Sequence, residues 1–168
     1  MRYRLAVIAP DVADVVRYSG GWLFDRAMAG WEVTVCVGDP TDIRPLRILG
    51  ATVLDLESSL SSLSDAGVWP NGMAIAAKVF ESDPRVRQGV LRNIEDRSFE
   101  VTVWGAACPS ELDCRTEGVQ HRLSVAACAF KARALAALGQ PVDVLEDVEI
   151  FRCSETQDRL AADLLPVG

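Results

Sequence analysis

Two thiols and the single imidazole of the chain fall close together, in Cys108-Pro109-Ser110-Glu111-Leu112-Asp113-Cys114 followed by His121. Such soft and borderline ligands suit zinc, with Glu111, Asp113 or water for a fourth position. They also suit a Cys–His nucleophile, because an unperturbed imidazole titrates near neutrality. A third use is a regulatory disulfide closing a small loop. The spacing is neither C-x-x-C nor another common zinc signature, so a solvated loop with two free thiols accounts for it as well. Cys36 and Cys128 fall on an apolar strand and an apolar helix, where cysteine serves as a small core residue.

A second set of polar residues follows the predicted strands. In doubly wound sheets, ligands gather outside the carboxyl ends of the strands, where the winding reverses. Those ends carry Pro10 and Asp11, Gly38 and Asp39, Glu57, and Trp104 and Gly105, while Gly20-Gly21-Trp22 lies along the first crossover. The expected ligand-binding residues are therefore Asp11, Gly20, Gly21, Trp22, Asp39, Trp104 and Gly105. The plainer role of Asp11 is a helix cap, and of Asp14 and Asp55 a solvated position.

Three resemblances bear on these residues. Asp39 stands where dinucleotide-binding units place an acid for the ribose, but Pro10-Asp11-Val12-Ala13-Asp14 replaces their glycine fingerprint. Acids at the mouth of a helix repel a pyrophosphate, and no P-loop pattern occurs. Asp11, Asp14 and Asp55 resemble the acids of phosphoacceptor receiver domains, yet no lysine lies near Val148–Cys153. Gly20-Gly21-Trp22 with Ala29-Gly30-Trp31-Glu32-Val33 resembles the amino-terminal half of two-domain glycosyltransferases over residues 1–57. That resemblance implies a sugar nucleotide approaching the glycine backbone, but the chain lacks room for a second sheet domain. A kinked helix explains the same glycines.

The positioning elements can be read from hydrophobic period and punctuation. Tyr3–Ala9 and Trp31–Val37 are strands flanking a helix from Val12, closed at Gly30; a short helix over Ile43–Leu49 and a strand over Thr52–Leu56 follow. Beyond a serine-rich stretch and a turn at Trp69–Gly72, helices are predicted over Met73–Phe80 and from Asp83-Pro84. A fourth strand covers Phe99–Trp104, a polar connection Gly105–Gln120, and an alanine-rich helix Arg122–Leu138. Val142–Arg152 alternates Val142, Val144, Val148 and Ile150 against Asp143, Asp147 and Glu149, which suits an edge strand with the acids on its wet face or two short strands bent near Glu146. Leu160, Leu164 and Leu165 suggest a short tail helix. The expected fold class is α/β, one Rossmann-like doubly wound domain over residues 1–153 with a tail at 154–168. It has about five mostly parallel strands in the order 3-2-1-4-5 or 2-1-3-4-5, with helices on both faces.

Seventeen basic residues against twenty-four acidic ones leave a net charge of −7, which opposes nucleic acid and anionic membranes. Only Lys78 and Lys131 are lysines. No signal peptide or membrane span stands out, and reduced thiols suit a cytoplasmic protein. The expected function is a binding domain for a small ligand or partner, without a catalytic motif and with no cofactor specified. It is expected to form a homodimer through the Arg122–Leu138 helix and the edge-like strand. The alternatives are an enzyme acting on a nucleotide or nucleotide-sugar at the strand ends, and a thiol or zinc site at Cys108, Cys114 and His121.

Overall fold

The computed structural model describes residues 2–62, 70–154 and 164–167. Strand β1 (Arg4–Asp11) buries Leu5, Val7, Ile8 and Ala9, as a strand covered on both faces must. Asp11 ends it and caps α1 (Val12–Met28), its carboxylate accepting from the Asp14 amide at 2.8 Å. One orphan amide of the helix start is thereby satisfied. Gly30, at φ +92°, turns the chain in the left-handed region open to glycine. β2 (Glu32–Asp39) then runs parallel to β1, from Arg4 opposite Glu32 to Asp11 opposite Asp39. Helix α2 (Arg44–Ile48) leads to β3 (Thr52–Asp55), parallel to β2.

Helix α3 (Leu56–Ser62) follows, and the chain re-enters the sheet on the other side of β1 as β4 (Gly72–Ala76). Helices α4 (Ala77–Ser82) and α5 (Pro84–Asp96) carry it to β5 (Glu100–Trp104), parallel to β4. Right-handed crossovers place the helices of the two halves on opposite faces, so the winding reverses between β1 and β4. Helix α6 (Ser110–Asp113), β6 (Thr116–Arg122), α7 (Val125–Ala137), β7 (Val148–Ser154) and β8 (Leu165–Pro166) complete the described chain. β7 inserts between β5 and β6, antiparallel to both, and β8 runs antiparallel to β6.

The sheet order is β3-β2-β1-β4-β5-β7-β6-β8. The expected five-stranded, mostly parallel Rossmann-like sheet is thus corrected to eight strands of mixed direction, with seven helices among the described residues. Alanine and methionine favour helix locally, yet Gly72–Ala76 is a strand because β1 and β5 offer it a ladder on each side. Thr116–Arg122, polar enough to read as a connection, pairs with β7 and β8. β7 is interior, not an edge, and its faces are reversed: Glu149 is 4 % exposed and Ile150 65 %. In a strand, a change of facing inverts every side chain. β8 takes Leu165 into the same sheet, while the tail helix expected around Leu160 and the Trp69 end of the expected turn lie outside the described residues. No helix among the described residues is long and apolar enough to cross a membrane.

Candidate functional site

The reversal between β1 and β4 gathers the first turn of α1, the start of α4 and the end of β5. Asp14, in that first turn, has a side chain only 7 % exposed. Its Oδ1 accepts from the Trp104 indole Nε1 at 2.8 Å, and its Oδ2 lies 3.8 Å from the Lys78 ammonium. A buried carboxylate without such partners is costly; here a neutral donor holds one oxygen and a cation faces the other. The Lys78 side chain is itself 73 % exposed. Gly105 leaves β5 at φ +150°, and a Cβ there would stand 2.9 Å from the Ala77 Cβ. Only glycine lets the two strand ends approach this closely.

Asp11 is exposed, with Oδ1 engaged in the cap, and its neighbour across the ladder is Asp39. The Thr41 hydroxyl and amide donate to Asp39 and hold its pKa below the usual carboxylate range. Of the residues expected to bind ligand, Asp11, Asp39, Trp104 and Gly105 therefore stand along the strand ends. Lys78 and Asp14 join them. An exposed carboxylate can take a proton from water, and an ammonium can stabilise a developing oxyanion.

Gly20, Gly21 and Trp22 lie elsewhere, buried in the middle of α1 on the order of 13 Å along the helix from Asp11. The amides of Gly21 and Trp22 donate to Glu149 Oε1 and Oε2 at 2.8 and 2.9 Å. Lys131 Nζ donates to Glu149 Oε1 and to the Arg17 carbonyl, both at 2.8 Å. Arg17 stands one helical hydrogen bond before Gly21, so the Lys131–Glu149 pair is inserted into the ladder of α1. A Cβ on Gly21 would lie 2.2 Å from Leu123 Cδ2. The glycines serve this junction, and Trp22 packs against Phe151 at 5.0 Å between ring centroids.

The thiol or zinc reading of Cys108, Cys114 and His121 is overturned. His121 is buried, with Nε2 at 2.8 Å from Asp25 Oδ2. The Ser124 hydroxyl and amide also donate to Asp25, at 2.5 and 3.1 Å. Burial alone would raise the Asp25 pKa, but the bonds from Ser124 and His121 prevail and hold it down. Cys108 turns its thiol to the Pro109 carbonyl and Cys114 is exposed. Among the described residues, no three His, Cys, Asp or Glu side chains converge on a metal position. Asp55 caps α3, accepting from the Ser58 amide at 3.0 Å. An apolar groove of about 670 Å³, lined by Ile8, Leu54, Leu60 and Met73 among others, includes none of Asp11, Asp14, Lys78 or Trp104.

The residues that sequence reasoning missed were Asp14, as a buried partner, and Lys78. A signal existed: the chain has two lysines among seventeen basic residues, and each faces a buried carboxylate, Lys78 at Asp14 and Lys131 at Glu149.

No known family's sequence pattern matches this chain, and no characterised protein matches it by sequence. Solved structures do match in fold. The zinc inhibited form of teicoplanin deacetylase is 11% identical at a TM-score of 0.61, covering 92% of this chain and 99% of its own. The deacetylase of the antimicrobial A40926 pseudoaglycone is 16% identical at 0.59, covering 83% of each chain. The 4-carboxy-2-hydroxymuconate hydratase of Pseudomonas putida KT2440 is 12% identical at 0.61, covering 95% of this chain and 100% of its own. The likeness is one of fold, nearly end to end. It replaces the expected Rossmann-like binding domain, and its nucleotide-enzyme alternative, with a fold whose compared members are deacetylases and a hydratase.

Proposed function

We propose that the chain is a hydrolase that removes an acyl group from an amine-bearing small molecule at the ends of β1, β4 and β5. The observation that carries this reading is the exposed Asp11 beside the buried Asp14, itself met by Lys78 and Trp104. The deacetylases and the hydratase share one demand, a water made nucleophilic. Asp11 accepts a proton from water as its oxygen bonds to the acyl carbon, and the negative charge on the carbonyl oxygen develops near Lys78. The carbon–nitrogen bond then breaks, and Asp11 returns the proton to the amine as the carboxylic acid departs. Asp11, Asp14 and Asp39 make this end acidic, which favours an amine-bearing substrate over a dicarboxylate.

Proton NMR of a panel of N-acetylated amino sugars and amino-glycosides incubated with the protein is expected to show catalytic release of acetate. A panel left intact at stoichiometric protein would end the hydrolase reading. Five free thiols suit the reducing cytoplasm proposed for the chain. We also propose that a second copy covers α7, where Val125 is 91 % exposed and Phe130, stacked on Phe24, is 38 % exposed. Sedimentation at micromolar concentration is expected to give the dimer mass; a monomer there removes the proposal.

A further inference from the structure

One compared enzyme is described in a zinc inhibited form, so the strand-end residues of this chain invite a test for a metal. They do not fit one. The only imidazole of the chain is His121, buried and held against Asp25 in the antiparallel half. Each carboxylate at the strand ends already has a partner: Asp11 takes the Asp14 amide, Asp39 takes Thr41, and Asp14 takes the Trp104 indole on one oxygen. The other oxygen of Asp14 faces the Lys78 ammonium at 3.8 Å. No convergent set of three metal ligands exists among the described residues.

From this arrangement we infer that Lys78 is the resident cation of the site, supplying the positive charge beside Asp14 so that the site works without a bound metal ion. A divalent ion on the free side of Asp14 would meet the ammonium at close range and be repelled. The lysine also brings its charge on a flexible stem, able to follow an oxygen as negative charge builds on it. In the proposed hydrolysis, on which the catalytic consequence rests, that oxygen is the former acyl carbonyl. Removing the lysine would leave the buried Asp14 carboxylate, next to the exposed Asp11, with no cation facing it, and that is a place a hard cation can occupy.

Manganese is the suitable probe, because it takes carboxylate oxygens and disregards the five thiols that would capture zinc. Electron paramagnetic resonance of free Mn²⁺ titrated with the whole protein is expected to show no saturable binding to the wild type or to Lys78→Arg. Lys78→Met is expected to bind Mn²⁺ at least about tenfold more tightly, a gain that adding Asp14→Asn abolishes. Because binding is gained, the result cannot come from failure to fold. Saturable binding by the wild type that Asp14→Asn removes would overturn the inference, as would no gain in Lys78→Met. A chelator is expected to leave acetate release unchanged. Absent release with the manganese pattern intact would count against the hydrolase reading alone.

Discussion

Asp11→Asn is expected to slow acetate release by about 10²–10⁴-fold, the usual worth of a general base, while the melting temperature moves by no more than about 1–2 °C. The two halves of this expectation separate chemistry from structure. Asp11 has two roles, as the exposed carboxylate of the strand ends and as the cap of α1 through the Asp14 amide. Asparagine caps as well as aspartate does, because its carbonyl oxygen accepts the same bond. It cannot take a proton from water at neutral pH. The loss should therefore fall on kcat, with KM little changed, since Asp11 acts on the water and not on the substrate's binding groups. Steady-state kinetics with a thermal melt decide the matter. A variant with near-native turnover would remove Asp11 from the chemistry, and one that melts early would leave the cap as its main role.

Glu149→Ala is expected to destabilise the fold by about 3–5 kcal/mol and to lower the melting temperature by on the order of 10 °C. The carboxylate is 3 % exposed and its Lys131 partner 7 %. Deleting it strands an ammonium in the core and leaves the amides of Gly21 and Trp22 without their acceptor. Both penalties act together, because an unmet buried charge and unmet buried amides each cost far more than the net gain from pairing them. The double substitution Lys131→Met with Glu149→Leu should recover part of the loss, since the charge is gone although the amides remain unmet. Urea unfolding of the two variants and the wild type measures this. Equal stability of Glu149→Ala and the wild type would show that the pair does not sustain the junction.

The amino-terminal elements were legible because their information is local. The apolar run of β1, the cap at Asp11, the glycine after α1 and the β-branched run of β2 sit within the residues they govern. The strand ends at Asp11 and Asp39 followed from them, while Trp104 and Gly105 followed from the separate apolar run of β5. Other features depend on partners far away in sequence. Gly72–Ala76 is a strand only because β1 and β5 flank it, and its alanines carry no period that distinguishes it from a helix. Val148–Ser154 alternates clearly, but nothing local shows that Glu149 faces inward toward Lys131 and α1. Gly20-Gly21-Trp22 was conspicuous as a glycine pair, and its reason is a carboxylate beyond the reach of any motif. His121 looked chemical because it is alone; its solitude instead reflects a single structural post beside Asp25.

The insertion of Glu149 into α1 also sets a timetable. Gly21 and the carboxylate that receives its amide are 128 residues apart, so at about 5–20 residues per second the ribosome delivers the second roughly 6–26 s after the first. For most of that interval β1, α1, β2 and β3 are outside the tunnel with the middle of α1 unfinished. The amino-terminal half is therefore a waiting intermediate, and it becomes a folded unit only when the last long strand arrives to close the helix made first.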